Sequence, residues 1–185
     1  MTDWSTKSDN QLAQARENAL AKLENPGWAE RAREMLSAVD AELARRGAEP
    51  SGLHPDTAAQ VRAETARMPP AERIAEAFRA RPPSDAEVRA IRAVHANPNA
   101  TSGALTAAAG WPGETTWHLV FGTMCWKRAP WLPAPPASVG RPGELFYSGV
   151  LCDFDRAEST FVLKPEAVTG LRAAGVPGLG PPAAG

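Results

Sequence analysis

Eighteen prolines divide this 185-residue chain into short segments. Inside a helix a proline removes a hydrogen bond and clashes with the preceding turn, so helices must start or stop where prolines gather. Most of them fall at Pro26, at Pro50 and Pro55, at the pairs Pro69-Pro70 and Pro82-Pro83, at Pro98, and in the run Pro130–Pro142. No apolar stretch approaches the ~20 residues a membrane span needs. With 43% hydrophobic and 22% charged residues, the composition suits a globular chain better than a disordered one. The formal net charge is −1 and no third of the chain is basic, so any contact with phosphates must come from a local patch. No charged segment followed by an apolar one opens the chain, which predicts a cytoplasmic location. Heavy use of Ala, Arg and Pro suggests a GC-rich bacterial genome.

Between the breaks, periodicity predicts helices. Ser8 and Gln11 have the spacing of a capping box, and Leu12, Ala15, Ala19, Leu20 and Leu23 follow at helical intervals. Asn25-Pro26-Gly27 breaks this helix. A second runs from about Trp28 to Arg46 with Ala32, Met35, Leu36, Val39 and Leu43 on one stripe, and Gly47 is placed to stop it. Residues 1–47 therefore read as an antiparallel helical hairpin, too small to hide both stripes alone. It is expected to pack on the rest of the chain or on a second copy, which makes self-association one expected partner interaction. Residues 48–83 read as a Pro- and Ala-rich helical connector with thin apolar content (Val61, Met68, Ile74, Phe78), with helices at Asp56–Arg67 and Ala71–Ala80. Residues 176–185 read as a disordered tail.

From Ser84 the pattern tightens. Ser84 and Glu87 form a second capping box ahead of a helix carrying Val88, Ile91 and Val94. Thr101 or Ser102 caps a short helix closed by Gly110, and Thr115 or Thr116 starts a third that lasts to about Arg128. Glu144–Phe154 and Ser159–Leu163 read as two strands joined by the tip Asp155–Glu158, and Glu166–Ala174 as a last helix. The expected fold class is mainly α with a small β-hairpin: the N-terminal helical hairpin plus a winged helix-turn-helix-like domain over 84–175. In that architecture the third helix enters a major groove and the hairpin touches the backbone beside it.

The stretch Leu105 to Gly122, with Ala109-Gly110-Trp111 followed by Leu119-Val120-Phe121-Gly122, resembles a small module of bacterial restriction-type and HNH-nuclease proteins. The similarity covers roughly residues 85–175. It implies an accessory DNA-handling or specificity element rather than the nuclease itself. His54, His95 and His118 are too scattered to assemble a His-Asn-His metal site.

Within the third helix, Trp117, Val120, Phe121 and Met124 lie at i, i+3, i+4 and i+7 and form a buried stripe. Thr115, His118, Leu119, Gly122 and Trp126 point the other way, flanked by Thr123 and Lys127. Short polar hydrogen-bonders and bases are what a groove-reading helix requires, so Thr115, Thr116, His118, Thr123 and Lys127 are candidate duplex DNA contacts. Arg128, Arg141 and Arg156 are candidate phosphate contacts. Leu119, Trp126 and Trp131 suit a protein partner better. A third arrangement buries this helix on both sides beneath the proline-rich loop.

Catalytic chemistry is not expected. His118 and Cys125 are seven residues apart on one helix, about 10 Å along its axis, too far for a nucleophile–base pair. Cys125 and Cys152 read as buried thiols. Glu144, Asp153 and Asp155 lack the loop that ligates calcium, and neither a phosphate-binding loop nor a dinucleotide fingerprint occurs, so no metal or cofactor is expected. Two functional readings remain. One is a non-enzymatic bacterial DNA-binding or DNA-associated accessory protein. The other is an adaptor, or an inhibitor encoded by a phage or mobile element, that binds a partner protein through a Trp-rich surface around Trp111, Trp117, Trp126 and Trp131.

Overall fold

The computed structural model describes residues 2–7, 9–45, 53, 55–138 and 145–180. Ser8, Gly47, His54, Arg141 and Glu144, which carry expectations above, lie outside them. After a 3-10 turn at Trp4–Thr6, eight helices are described: α1 (Asp9–Lys22), α2 (Ala29–Arg45), α3 (Pro55–Thr65), α4 (Pro70–Ala80), α5 (Asp85–Ala96), α6 (Ser102–Ala108), α7 (Thr116–Trp126) and α8 (Pro165–Ala173). Three short strands accompany them: β1 (Ala100–Thr101), β2 (Cys152–Asp155) and β3 (Thr160–Leu163). They form one antiparallel sheet in the order β1-β3-β2. No helix among the described residues is long and apolar enough to cross a membrane.

Local chemistry sets most boundaries. The Ser84 hydroxyl accepts the Glu87 N–H while the Glu87 carboxylate accepts the Ser84 N–H, so both ends of the box are closed. The Thr101 side chain caps α6 by accepting the Ala104 N–H. Pro70 and Pro165 occupy first turns, where a missing N–H costs nothing. Asp155 Oδ1 accepts the N–H groups of Ala157 and Glu158, and Ser159 adopts φ 55°, which together turn the chain from β2 into β3.

Three expectations are corrected. The strand expected over Glu144–Phe154 begins only at Cys152, because Tyr147–Val150 is a 3-10 turn. Its Gly149 is pressed so close that a Cβ there would lie 2.5 Å from Phe146 Cδ1 and 2.8 Å from Pro136 Cγ. The segment 70–80 is not connector but core: Ile74, Ala75, Ala77 and Phe78 are buried, and α4 packs closely on α8. Gly170 permits that approach, since a Cβ there would meet the Ala71 carbonyl oxygen at 2.5 Å. The expected tail is packed as far as Leu179, with Val176 and Leu179 buried and the Leu179 carbonyl accepting from Arg172 Nε at 2.7 Å.

A continuous apolar core runs from Ala19, Leu23, Ala32 and Leu36, in α1, the turn after it and α2, through Phe78, Ile91, Leu105, Trp117, Phe121 and Met124 to Leu163, Ala167 and Leu171. Leu12, Val39 and Leu43 form a smaller cluster, with Trp126 packed against it. The N-terminal helices thus share the core of the C-terminal half.

Candidate interaction surface

Helix α7 occupies the centre of the molecule. Trp117 is fully buried: its Nε1 donates to the Ala90 carbonyl at 2.9 Å, and its ring lies 4.8 Å from those of Phe121 and Phe161. The Thr106 hydroxyl accepts the Trp117 N–H at 3.0 Å and fixes the start of α7 against α6. Gly110 (φ 73°) and Gly113 (φ 82°) make the turns between these helices, in backbone conformations that side chains with a Cβ resist.

The side of α7 expected to meet DNA is occupied by α1 and α2. Arg33 Nη2 donates to the Thr116 hydroxyl at 3.3 Å and to the Pro112 carbonyl at 3.2 Å. Arg16 Nη2 donates to the Thr123 hydroxyl at 2.9 Å, its Nε pairs with Asp40 at 2.5 Å, and its guanidinium lies 4.0 Å over the Trp126 ring. The Lys127 ammonium pairs with Glu17 and is 4.0 Å from Glu87. Arg128 is wholly buried over the Phe78 ring, donating to the Arg81 and Met124 carbonyls and to Glu87 at 3.0 Å. Thr116, Thr123, Lys127 and Arg128 therefore hold the fold together and do not form an outward stripe. A further side of α7 is covered by Tyr147–Val150, with Ser148 Oγ lying 3.4 Å from where a Gly122 Cβ would be.

The remaining residues are divided. Leu119, Trp126 and Trp131 are half-buried, the last two packed on the apolar clusters, while Trp111 and Trp117 are buried. Of the expected Trp-rich surface, Trp111 and Trp117 are therefore interior, while Trp126 and Trp131 keep part of their area exposed. His118 is half-buried among rings, with Phe146 stacked at 6.0 Å and Phe161 at 5.7 Å. Among the described residues, only Thr115 and Arg156 of the expected contacts are exposed, and Arg156 sits in the hairpin turn beside Asp155 and exposed Glu158.

What the residue pattern missed is a hollow of about 710 Å³ at the end of the sheet. Its apolar walls are Phe154 and Phe161, and Thr101, Ser102, Thr115, Ser159 and Glu114 surround them. Phe154 and Phe161 are cross-strand partners with rings 4.8 Å apart, and Phe146 lies 5.7 Å from Phe154. Phe154 remains 37% exposed and Leu145, beside Phe146, 52%. Alternation could have located this wall, because Phe154 lies between Asp153 and Asp155 and so faces away from both.

Both thiols are buried. Burial pushes Cys125 and Cys152 above the ordinary thiol range, so neither is poised as a nucleophile. Among the described residues, no group of three or more His, Cys, Asp or Glu side chains is arranged to hold a metal ion. A second hollow of about 330 Å³ lies beside Arg89 and Arg92, but Arg89 is paired with Glu24 and lies 5.1 Å over the Trp111 ring. No family model, curated protein or solved structure matches the chain.

Proposed function

We propose that this chain is a non-enzymatic binding module of winged-helix type whose ligand is another protein. The order α5-β1-α6-α7-β2-β3 with a β1-β3-β2 sheet supports the winged-helix description. The observation that carries the choice of ligand is the occupation of α7. Arg16, Glu17 and Arg33 take up Thr123, Lys127 and Thr116, the residues a groove-reading helix would spend on bases and phosphates. Duplex binding draws its affinity from cations released to phosphate, and Lys127 and Arg128 are committed to Glu17 and Glu87. The open end of the domain is aromatic instead, with Phe154 exposed on the wall of a hollow. An apolar patch bounded by polar groups is the kind of surface that proteins use to meet proteins.

Two measurements test this reading. Anisotropy of labelled duplex DNA at physiological salt is expected to show no binding tighter than the ~10⁻⁴–10⁻⁶ M of non-specific contacts. A photo-crosslinking residue at position 154, in cells that make the protein, is expected to give a discrete protein adduct. Tight duplex binding with a steep salt dependence, or adducts to nucleic acid alone, overturns it.

A further inference from the structure

We infer that the α1–α2 hairpin is a detachable cover over α7. The two helices leave together while the rest of the chain stays folded, so this contact governs access to the side of α7 that carries Thr116, Thr123, Trp126 and Lys127. The inference goes beyond the protein-binding reading and does not depend on it. α1 and α2 pack closely on each other, whereas neither brings its backbone as close to α5, α6 or α7. Long side chains bridge the gap: Arg16 reaches Thr123 and the Trp126 ring, Glu17 reaches Lys127, Glu24 reaches Arg89, and Arg33 reaches Pro112 and Thr116. Ala19, Leu23, Ala32 and Leu36 supply the apolar part of the contact. Parts of one chain that move relative to each other typically meet through such mixed, polar surfaces.

The charges are partnered separately on the two sides. Arg16 keeps Asp40 within the hairpin, while Arg128 keeps Glu87, with Lys127 4.0 Å from the same carboxylate. Separation therefore strands no buried cation, the event that makes breaking a buried pair so costly. The two ion pairs that do cross, Glu17–Lys127 and Glu24–Arg89, have carboxylates that are already half-exposed, and such pairs hold weakly. Arg16 Nη1, Arg33 Nε and, beneath Arg89, Trp111 Nε1 are buried along this contact without a hydrogen-bond partner. These groups are unfavourable while the contact is closed and are satisfied by water once it opens. A contact built in this way yields before the apolar core of α4, α5 and α8.

Hydrogen exchange of the full-length chain, followed by mass spectrometry below the urea transition, tests the inference. Amides of α1 and α2 are expected to exchange as one unit, about tenfold or more faster than those of α4, α5 and α8. Glu17→Gln, at an exposed position, removes one crossing pair. It should speed α1 and α2 about two- to fivefold and leave α4, α5 and α8 unchanged. Labelling reports the uncovered side of α7. The thiol introduced by Thr123→Cys should be alkylated about tenfold or more faster than Cys125 and Cys152 of the same molecule, which stay in the core. Exchange of α1 and α2 only in step with α4, α5 and α8, or a Glu17→Gln acceleration spread over the whole chain, overturns the cover. So does equal alkylation of all three thiols in a variant that still melts cooperatively. Should Thr123→Cys not fold, exchange of the parent chain decides alone. The protein-binding reading stands or falls separately, on the duplex and crosslinking measurements.

Discussion

Arg16 and Thr123 are 107 residues apart in sequence and joined by a 2.9 Å hydrogen bond in the interior. Because Arg16 also pairs with Asp40 and covers the Trp126 ring, one guanidinium ties α1 to both α2 and α7. Thr123→Val keeps the volume of the side chain but removes the acceptor, leaving a buried charged N–H without a partner. The expected cost is about 1–3 kcal/mol. At this chain length, that lowers Tm by roughly 2–4 °C per kcal/mol. Urea unfolding and thermal melts check it. Thr115→Val, in the exposed neighbouring turn, should stay within about 0.5 kcal/mol of the parent. If Thr123→Val is equally neutral, the bond does not fasten α1 to α7.

That bond also shows where reading from sequence stops. The stripe Trp117, Val120, Phe121 and Met124 is buried, as its spacing implies, and the Ser84–Glu87 capping box starts α5. These are local patterns, fixed within four to seven residues. The opposite side of α7 is different, because Thr116, Thr123 and Lys127 have the same chemistry whether they face a nucleic acid or another helix. Their partners Arg33, Arg16 and Glu17 lie far away in the chain, and no periodicity reports such a distance. Arg128 misleads for a related reason. Arginine is ordinarily a surface residue, and nothing nearby announces that Glu87 and two carbonyls will satisfy it in the interior. The two-residue strand β1 is too short to leave any alternation, and it exists because β3 supplies its pairing. The aromatic hollow, assembled from β1, α6, the start of α7 and the hairpin, is likewise a product of tertiary packing.

Two glycines inside helices are expected to respond to alanine with opposite signs. At Gly170 a Cβ would lie 2.5 Å from the Ala71 carbonyl oxygen and 2.7 Å from Ile74 Cβ, so α8 must withdraw from α4. Gly170→Ala should therefore cost about 1–3 kcal/mol despite alanine's better helix propensity. At Gly122 the nearest atom would be Ser148 Oγ at 3.4 Å, an ordinary contact. Gly122→Ala should gain about 0.5–1 kcal/mol from reduced backbone entropy in the unfolded chain. Parallel urea titrations of the two variants decide the matter. Stabilisation at both sites would mean that α4 and α8 are not in close contact.

Cys125 and Cys152 make stability depend on pH at the alkaline end. Burial disfavours both thiolates, and at Cys152 the neighbouring Cys125 adds to the effect. The folded state therefore keeps these protons at a pH where the unfolded chain, with ordinary thiols near ~8.5, has begun to lose them. The sign follows: the contribution is fully present below the unfolded value and declines as pH rises above it. The slope is at most about 1.4 kcal/mol per pH unit for each thiol. Unfolding free energies measured between pH 7 and 10 should fall more steeply for the parent than for the Cys125→Ala, Cys152→Ala double variant. Iodoacetamide should alkylate neither thiol in the folded protein and both once urea unfolds it. Rapid alkylation of the native chain at neutral pH, or identical pH profiles for parent and double variant, would show that the thiols reach solvent and that the core between α7 and β2 is open.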